Sequence, residues 1–255
     1  MTPRLVCIDA GFTLIRPRQT MAERFRDVLR SEGHTAADAD IQRAWEAADE
    51  WFWAEYHRPD NVTWTSDARI EETWRSYHRL MLRHLGVGDE AHRLIDLILR
   101  SQFAPDAWEL YEDTLDALDR LRRPDPGAPP GTAPAGRAPV VAVVSDWSSS
   151  LSAVIAGVGL ADRVDHVLAS AAEGVAKPDP EFFRRAARRA GVDPWAAVMI
   201  GDSYRADVLG ARSAGMDAVL LDRTGTAGPV DPATPVARSL AEAVEVALGA
   251  DRAVP

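Results

Sequence analysis

Four groups of polar residues stand where short apolar runs end. Asp9 follows Leu5-Val6-Cys7-Ile8, and Ser145 follows Val140–Val144. Lys177 lies in Ala176-Lys177-Pro178-Asp179-Pro180, after a third run. Asp202 and Asp207 lie in Gly201-Asp202-Ser203-Tyr204-Arg205-Ala206-Asp207, after a fourth. A carboxylate such as Asp9 can attack a phosphoryl group and form an aspartyl-phosphate. The phosphoryl oxygens then need a hydroxyl donor and a fixed cation, which Ser145 and Lys177 supply. Several carboxylates in one place repel one another unless a cation neutralises them. A hard Mg²⁺, held by a few oxygens, waters and the substrate phosphate, suits that set. Taken singly, each group has a plainer use: Asp9 ends a strand, Ser145 sits in a turn, Lys177 is a surface cation. Asp202 and Asp207 are acids at a helix N-terminus, favoured by the dipole.

The chemistry requires elements that bring these groups together. Five runs have strand length: Leu5–Ile8, Val140–Val144, Val164–Leu168, Ala197–Ile200 and Ala218–Leu221. They are rich in Val, Ile and Leu and alternate only weakly, as strands buried on both faces do in parallel sheets. Helical stripes separate the last four. Leu151, Val154, Ile155 and Val158 form one; Phe182, Phe183, Ala186, Ala187 and Ala190 form another, with Pro180 near its start. The alternation predicts an α/β fold, a doubly wound parallel sheet with right-handed crossovers. In such a sheet the C-terminal strand ends converge on one crevice, where ligands bind.

The stretch between the first two strands breaks this rhythm. Residues 18–112 read as helices: Met21, Phe25, Val28 and Leu29 share a face that Gly33 can close. Ile70, Trp74, Tyr77 and Met81 share another, closed by Gly86, and Leu94, Ile95, Leu97 and Ile98 follow. This predicts an inserted all-helical cap (18–112) on a core domain made of 1–17 and 113–255, with Leu115, Leu118 and Leu121 leading back into the core. Trp45, Trp51, Trp53, Trp64 and Trp74 fall in the insertion, mostly as core. Trp51-Phe52-Trp53 cannot all face one way on a helix, so one of them is expected at the substrate cleft. The Pro/Gly/Ala run at 124–139 can hold neither a helix nor a central strand and reads as a loop at the N-terminal edge of the sheet, away from the site.

The four polar segments, in this order and each after a predicted strand, resemble the four motifs of the haloacid dehalogenase superfamily. The resemblance runs from Asp9 to Asp207, and the helical insertion after the first motif is similar to the cap of subfamily I. It implies a Rossmann-like core with strands in the spatial order fifth-fourth-first-second-third. It implies Asp9 as nucleophile and Ser145 and Lys177 on the phosphate. Mg²⁺ would be held by Asp9, the main-chain carbonyl at Gly11 and Asp202. Thr13, Asp146, Ser203 and Asp207 would support the site, Asp207 through water or Lys177.

One departure bears on mechanism. Phosphatases of the superfamily carry a second Asp two residues after the nucleophile, which protonates the leaving group and later activates water. Here that position is Gly11, followed by Phe12 where Gly is usual. A general acid–base is worth roughly 10²–10⁴-fold, so weak turnover of alkyl phosphates and better turnover of aryl or acyl phosphates is expected. Dehalogenases and phosphonatases of the superfamily also lack this Asp. Asp146 stands where Asn often follows the second-motif Ser. It is a candidate displaced acid, but turns favour Asp and a surface or turn carboxylate is the preferred reading.

The totals are those of an ordinary soluble globular protein. The chain has 255 residues, 46% of them hydrophobic, enough for a substantial core. Its net charge of −10 argues against nucleic acid as a partner. Cys7 is the single cysteine, so no intrachain disulfide forms, as suits the cytoplasm, and its apolar neighbours read as a strand. No run approaches the ~20 apolar residues of a membrane helix, and the first residues show no signal peptide. The six His show no ligand spacing and read as structural or surface. The expected function is a Mg²⁺-dependent phosphatase for a small phosphorylated metabolite. The alternatives are a 2-haloacid dehalogenase-type carbon–halogen hydrolase and a catalytically degenerate binding protein.

Overall fold

Strands rich in β-branched residues and helices with a single apolar stripe can bury both kinds of face only by layering. A computed structural model describes residues 2–58, 61–88, 90–122 and 138–249. The chain begins with β1 (Leu5–Ile8) and β2 (Ile15–Pro17), then α1 (Met21–Ser31), α2 (Asp38–Tyr56), α3 (Asp67–His84) and α4 (Ala91–Phe103). It continues through β3 (Trp108–Leu110), α5 (Thr114–Arg122), β4 (Val140–Ser145), α6 (Leu151–Gly157), β5 (His166–Ala169), α7 (Ser170–Glu173) and α8 (Pro180–Ala190). It closes with β6 (Ala197–Gly201), α9 (Gly210–Ser213), β7 (Asp217–Leu221), β8 (Val236–Ala237) and α10 (Leu240–Gly249).

The main sheet runs β5-β4-β1-β6-β7-β8, with every neighbour parallel. This is the expected order of the five strands read from its other end, with β8 added at the edge. Leu5 pairs with Val140 on one side and Ala197 on the other. Alternate residues serve opposite faces. Val6, Ile8, Val141 and Val143 pack against α5, α6 and α10, whereas Leu5, Cys7, Ala142 and Met199 pack against Phe182 and Phe183 of α8. Both faces are apolar, which explains the weak alternation in the sequence. Burial pushes the Cys7 thiol up to about 12, as suits an unreactive strand residue. The third strand starts at His166 rather than Val164, because pairing with β4 begins at Ala142–His166. Asp165 just before it caps the ladder through the Val141 amide at 2.8 Å.

Helices α1–α4 enclose an apolar cluster of their own, centred on Phe25, Ile41, Tyr77, Met81, Leu94 and Ile98. Thr20 and Glu23 form a reciprocal capping box at the start of α1. Helices α1 and α3 stop shortly before Gly33 and Gly86, as their patterns require. The expectation of helix throughout 18–112 fails at one place. Trp108–Leu110 is a strand, paired antiparallel with Ile15–Pro17 and tied by an Arg16–Glu109 ion pair at 2.9 Å. Three-residue strands carry too little periodicity to be read from sequence. This ribbon joins the two crossings between the sheet and the helical unit. Of the Pro/Gly-rich run, residues 124–137 lie outside the described residues. Among the described residues, no helix is long and apolar enough to cross a membrane.

The turn after β1 decides where the site's first residue points. The Asp9 amide donates to the Ile200 carbonyl at 2.9 Å, which extends the β1–β6 pairing by one step. The Ala10 carbonyl accepts from Leu14 and Ile15 at 2.9 and 3.0 Å, and the Phe12 amide donates to Ile15 at 2.7 Å. This forces Phe12 into the left-handed region, φ +59°, with its ring 54% exposed. A Cβ there costs about 1–2 kcal/mol, and an exposed ring returns little. Phe12→Gly is therefore expected to stabilise the protein by about 0.5–1 kcal/mol after the entropy of the unfolded glycine is charged. For a chain of this size that is roughly 2–3 °C in thermal midpoint. A lower midpoint would mean that the ring's packing outweighs the backbone strain.

Candidate active site

The strand ends deliver the expected residues to one crevice. Asp9 Oδ1 accepts from Ser145 Oγ at 2.9 Å and from Lys177 Nζ at 2.6 Å. Lys177 Nζ also donates to Asp207 Oδ1 at 2.6 Å. The other Asp207 oxygen takes the Ser203 amide at 2.9 Å. Ser203 in turn caps the π-helical turn Tyr204–Leu209 by accepting the Ala206 amide at 3.1 Å. Gly201, the last residue of β6, makes room for this: a Cβ there would lie 2.3 Å from Asp207 Cγ. Asp9, Ser145, Lys177 and Asp207 are all buried.

Charge sets the protonation states. Burial alone would discharge Lys177, but Asp207, Asp9 and Asp146 outweigh it and keep the ammonium charged. Asp202 is reachable by solvent, yet the crevice walls, then the charges on Asp9 and Asp207, push its carboxyl up to about 8. Burial also raises Asp207. One ammonium thus serves four neighbouring carboxyls, Asp9, Asp146, Asp202 and Asp207, which must either take up protons or share a further cation. Among the described residues, no three His, Cys, Asp or Glu side chains gather as a metal cage. The expected Mg²⁺ donors are two carboxylates and the Gly11 carbonyl. That partial set fits an ion which keeps waters and takes substrate oxygens.

A family model described as haloacid dehalogenase-like hydrolase matches residues 3–215. The chain belongs to that family. It is 29% identical over 220 residues to haloacid dehalogenase-like hydrolase domain-containing protein 3 of Mus musculus, covering 86% of this chain and 81% of the relative. A phosphoserine phosphatase of Thermus thermophilus is 48% identical over 69 residues, 27% of this chain and 28% of the relative. Among solved structures, a 2-haloacid dehalogenase from Pseudomonas syringae superposes with a TM-score of 0.62 at 24% identity, covering 96% of this chain and 97% of that one.

The loop at Gly11 is tightly packed. A Cβ on Gly11 would lie 3.3 Å from Trp147 Cζ3, so the indole crowds any side chain at this position. Trp147 is fixed by its amide on Ser170 Oγ at 3.0 Å and by its edge contact with Trp108, ring centres 4.7 Å apart. An Asp at position 11 therefore needs Trp147 to give by a few tenths of an ångström. Thr13 is buried with its hydroxyl unpartnered among the described residues, while its carbonyl takes Arg223 at 2.9 Å. His78, buried against Gln102, is pushed down to about 4 by burial and is neutral.

Two site neighbours escaped the sequence reading. Trp147 carries no signal of its own in the sequence. Tyr56, the last residue of α2, has its hydroxyl raised by burial and then by the charges on Asp146 and Asp207, which puts it beside the carboxylate cluster. Of the run Trp51-Phe52-Trp53, Phe52 stacks on Trp74 at 5.3 Å, and the exposed Trp53 meets Tyr56 edge-on at 5.5 Å. Asp146 is not a solvated turn carboxylate. Its Oδ1 accepts the Lys177 amide at 2.9 Å, and its Oδ2 is buried without a partner among the described residues.

Burial pushes Asp146 up to about 7, with Asp207 and Asp9 adding to it and Lys177 opposing. An unfolded Asp releases its proton near 4. The folded protein thus holds an extra proton between about 4 and about 7, and stability falls as pH rises through that window. The contribution is complete below the unfolded value and lost above the folded one. Asp146→Asn keeps the acceptor for the Lys177 amide but cannot titrate. In EDTA, the variant is expected to gain stability relative to wild type as pH rises from 4 to 8. A difference in unfolding free energy that stays flat with pH would show that Asp146 is ionised throughout.

Proposed function

We propose that this haloacid dehalogenase-like hydrolase is a Mg²⁺-dependent phosphatase acting on a small phosphorylated metabolite through an aspartyl-phosphate at Asp9. The observation that carries it is the shared ammonium. Lys177 ties Asp9 to Asp207 at 2.6 Å each, inside a carboxylate surplus that one cation cannot balance. Attack on a carbon–halogen bond needs no such surplus; binding a phosphate through a divalent ion does. The helical unit of residues 18–112 acts as a cap, with Tyr56 the aromatic it brings nearest the acids, and the core is built from 1–17 and 113–255.

Asp9 is held by Ser145 and Lys177 through one oxygen, Oδ1, which leaves Oδ2 without a side-chain donor among the described residues. The free oxygen attacks phosphorus, while Ser145 and Lys177 transfer their hydrogen bonds to the phosphoryl oxygens as the substrate seats. Asp207 keeps Lys177 charged and oriented during that exchange. Mg²⁺, held by Asp9, the Gly11 carbonyl and Asp202, would screen the charge between nucleophile and phosphate. The partial likeness to phosphoserine phosphatase supports the phosphate chemistry.

Carbon–halogen hydrolysis is the second reading, favoured by the missing carboxyl at Gly11. One experiment separates them. Wild type should release phosphate from 4-nitrophenyl phosphate with Mg²⁺, lose that activity in EDTA, and release no halide from a 2-haloacid. Asp9→Asn should lower phosphate release by about 10³-fold or more with the fold intact. Halide release that EDTA leaves untouched would replace the phosphatase with the dehalogenase.

A further inference from the structure

With no carboxyl at Gly11, the proton for a departing alkoxide must come from elsewhere. We infer that Asp146 supplies it, acting as general acid on the leaving oxygen and then as base for the water that frees Asp9. This rests on the phosphatase proposed above. Asp146 directly follows Ser145, whose hydroxyl is bonded to Asp9 Oδ1 at 2.9 Å. The Lys177 amide holds Asp146 Oδ1 at 2.9 Å and so fixes the plane of the carboxyl. Oδ2 is buried, and no protein group among the described residues takes it. A neutral carboxyl has one O–H to give, and leaving such a donor buried without an acceptor is costly. A substrate's leaving oxygen is the acceptor the protein does not provide.

The surroundings fit that role. The charged or titratable groups facing Asp146 are Lys177 from the segment before α8, Asp207 from the π-helical turn, Asp9 from the end of β1 and Tyr56 from α2. Burial keeps Asp146 protonated up to about 7, where a general acid is most effective. Tyr56, the other hydroxyl beside the cluster, is raised far above its ordinary range by burial and by the charge on Asp146, and is the weaker acid. The loop that carries Asp146 is also pinned. Trp147 donates to Ser170, and the Ser149 amide donates to Asp67 Oδ1 of α3 at 2.7 Å, so the helical unit helps fix the acid.

The protons balance over a cycle. Asp9 oxygen bonds to phosphorus as the bond from phosphorus to the leaving oxygen breaks, and the Asp146 proton passes to that oxygen to give the alcohol. Water then attacks the phosphorus of the aspartyl-phosphate and gives its proton to the Asp146 carboxylate. The bond to Asp9 breaks, inorganic phosphate leaves, and both side chains return to their starting states. Turnover of alkyl esters, which Gly11 by itself argues against, then depends on Asp146.

The test compares 4-nitrobenzyl phosphate, whose alkoxide needs a proton, with 4-nitrophenyl phosphate, whose phenolate does not. Both are measured with Mg²⁺ as kcat/KM against pH. Asp146→Asn should lose about 10²-fold or more on the benzyl ester and far less on the phenyl ester. The wild-type decline of the benzyl reaction at alkaline pH should vanish in the variant. Equal losses on the two esters, no loss on either, or wild type inert on the benzyl ester alone would overturn the assignment and leave the phosphatase standing. Wild type inert on both would overturn the phosphatase and the assignment with it.

Discussion

The buried ammonium of Lys177 is the constraint on which the site depends. Carboxylates beside one another and out of water either take up protons or need a cation among them. Asp9 and Asp207 come from different strand ends, and each lies 2.6 Å from the same nitrogen. Removing that nitrogen would leave two buried acids facing each other, so nucleophile geometry, site electrostatics and local folding are one problem. Burial, and then the charges of the neighbouring acids, hold Asp202 and Asp146 far above ordinary carboxyls even with it.

The sheet makes this arrangement possible. β1 lies between β4 and β6, so the groups that follow all three strands face one another across two ladder spacings. Small residues at the edges allow the close approach. Gly201 leaves the space that the Asp207 carboxyl fills, and any side chain there would push the acid off Lys177. The helical unit has its own apolar cluster and meets the core through polar contacts such as Asp67 with Ser149. Its placement bears on the site, because Asp67 holds the loop that carries Asp146.

Much of this was legible in the sequence, for physical reasons that also mark where legibility ended. Strands buried on both faces and helices with wide apolar stripes leave periodic signals, so the five core strands and the helices α6 and α8 between them could be read off. Asp9, Ser145, Lys177 and Asp202 stood out because each follows such a strand. The β2–β3 ribbon and β8 were invisible, being two or three residues long and defined by pairing rather than pattern. Tyr56 was invisible for a different reason: its role depends on how α2 lies over the sheet, which no local pattern encodes. The burial of Asp146 was hidden as well, since an Asp after a strand looks the same in a turn as in a crevice.

The loop after β1 and the loop after β4 have to be understood together. Glycine at position 11 looks like a loss when the first motif is taken alone. Beside it, however, Trp147 brings an indole to within 3.3 Å of where a side chain would begin, and Trp147 is locked to Ser170 and Trp108. On the other loop Asp146 directly follows Ser145, with one carboxyl oxygen bound to the Lys177 amide and the other buried without a partner among the described residues. Packing crowds a side chain on one loop, while burial keeps a carboxyl protonated up to about 7 on the other. In the proposed mechanism the two loops act together: Trp147 limits what position 11 can carry, and Asp146 supplies the proton that position lacks.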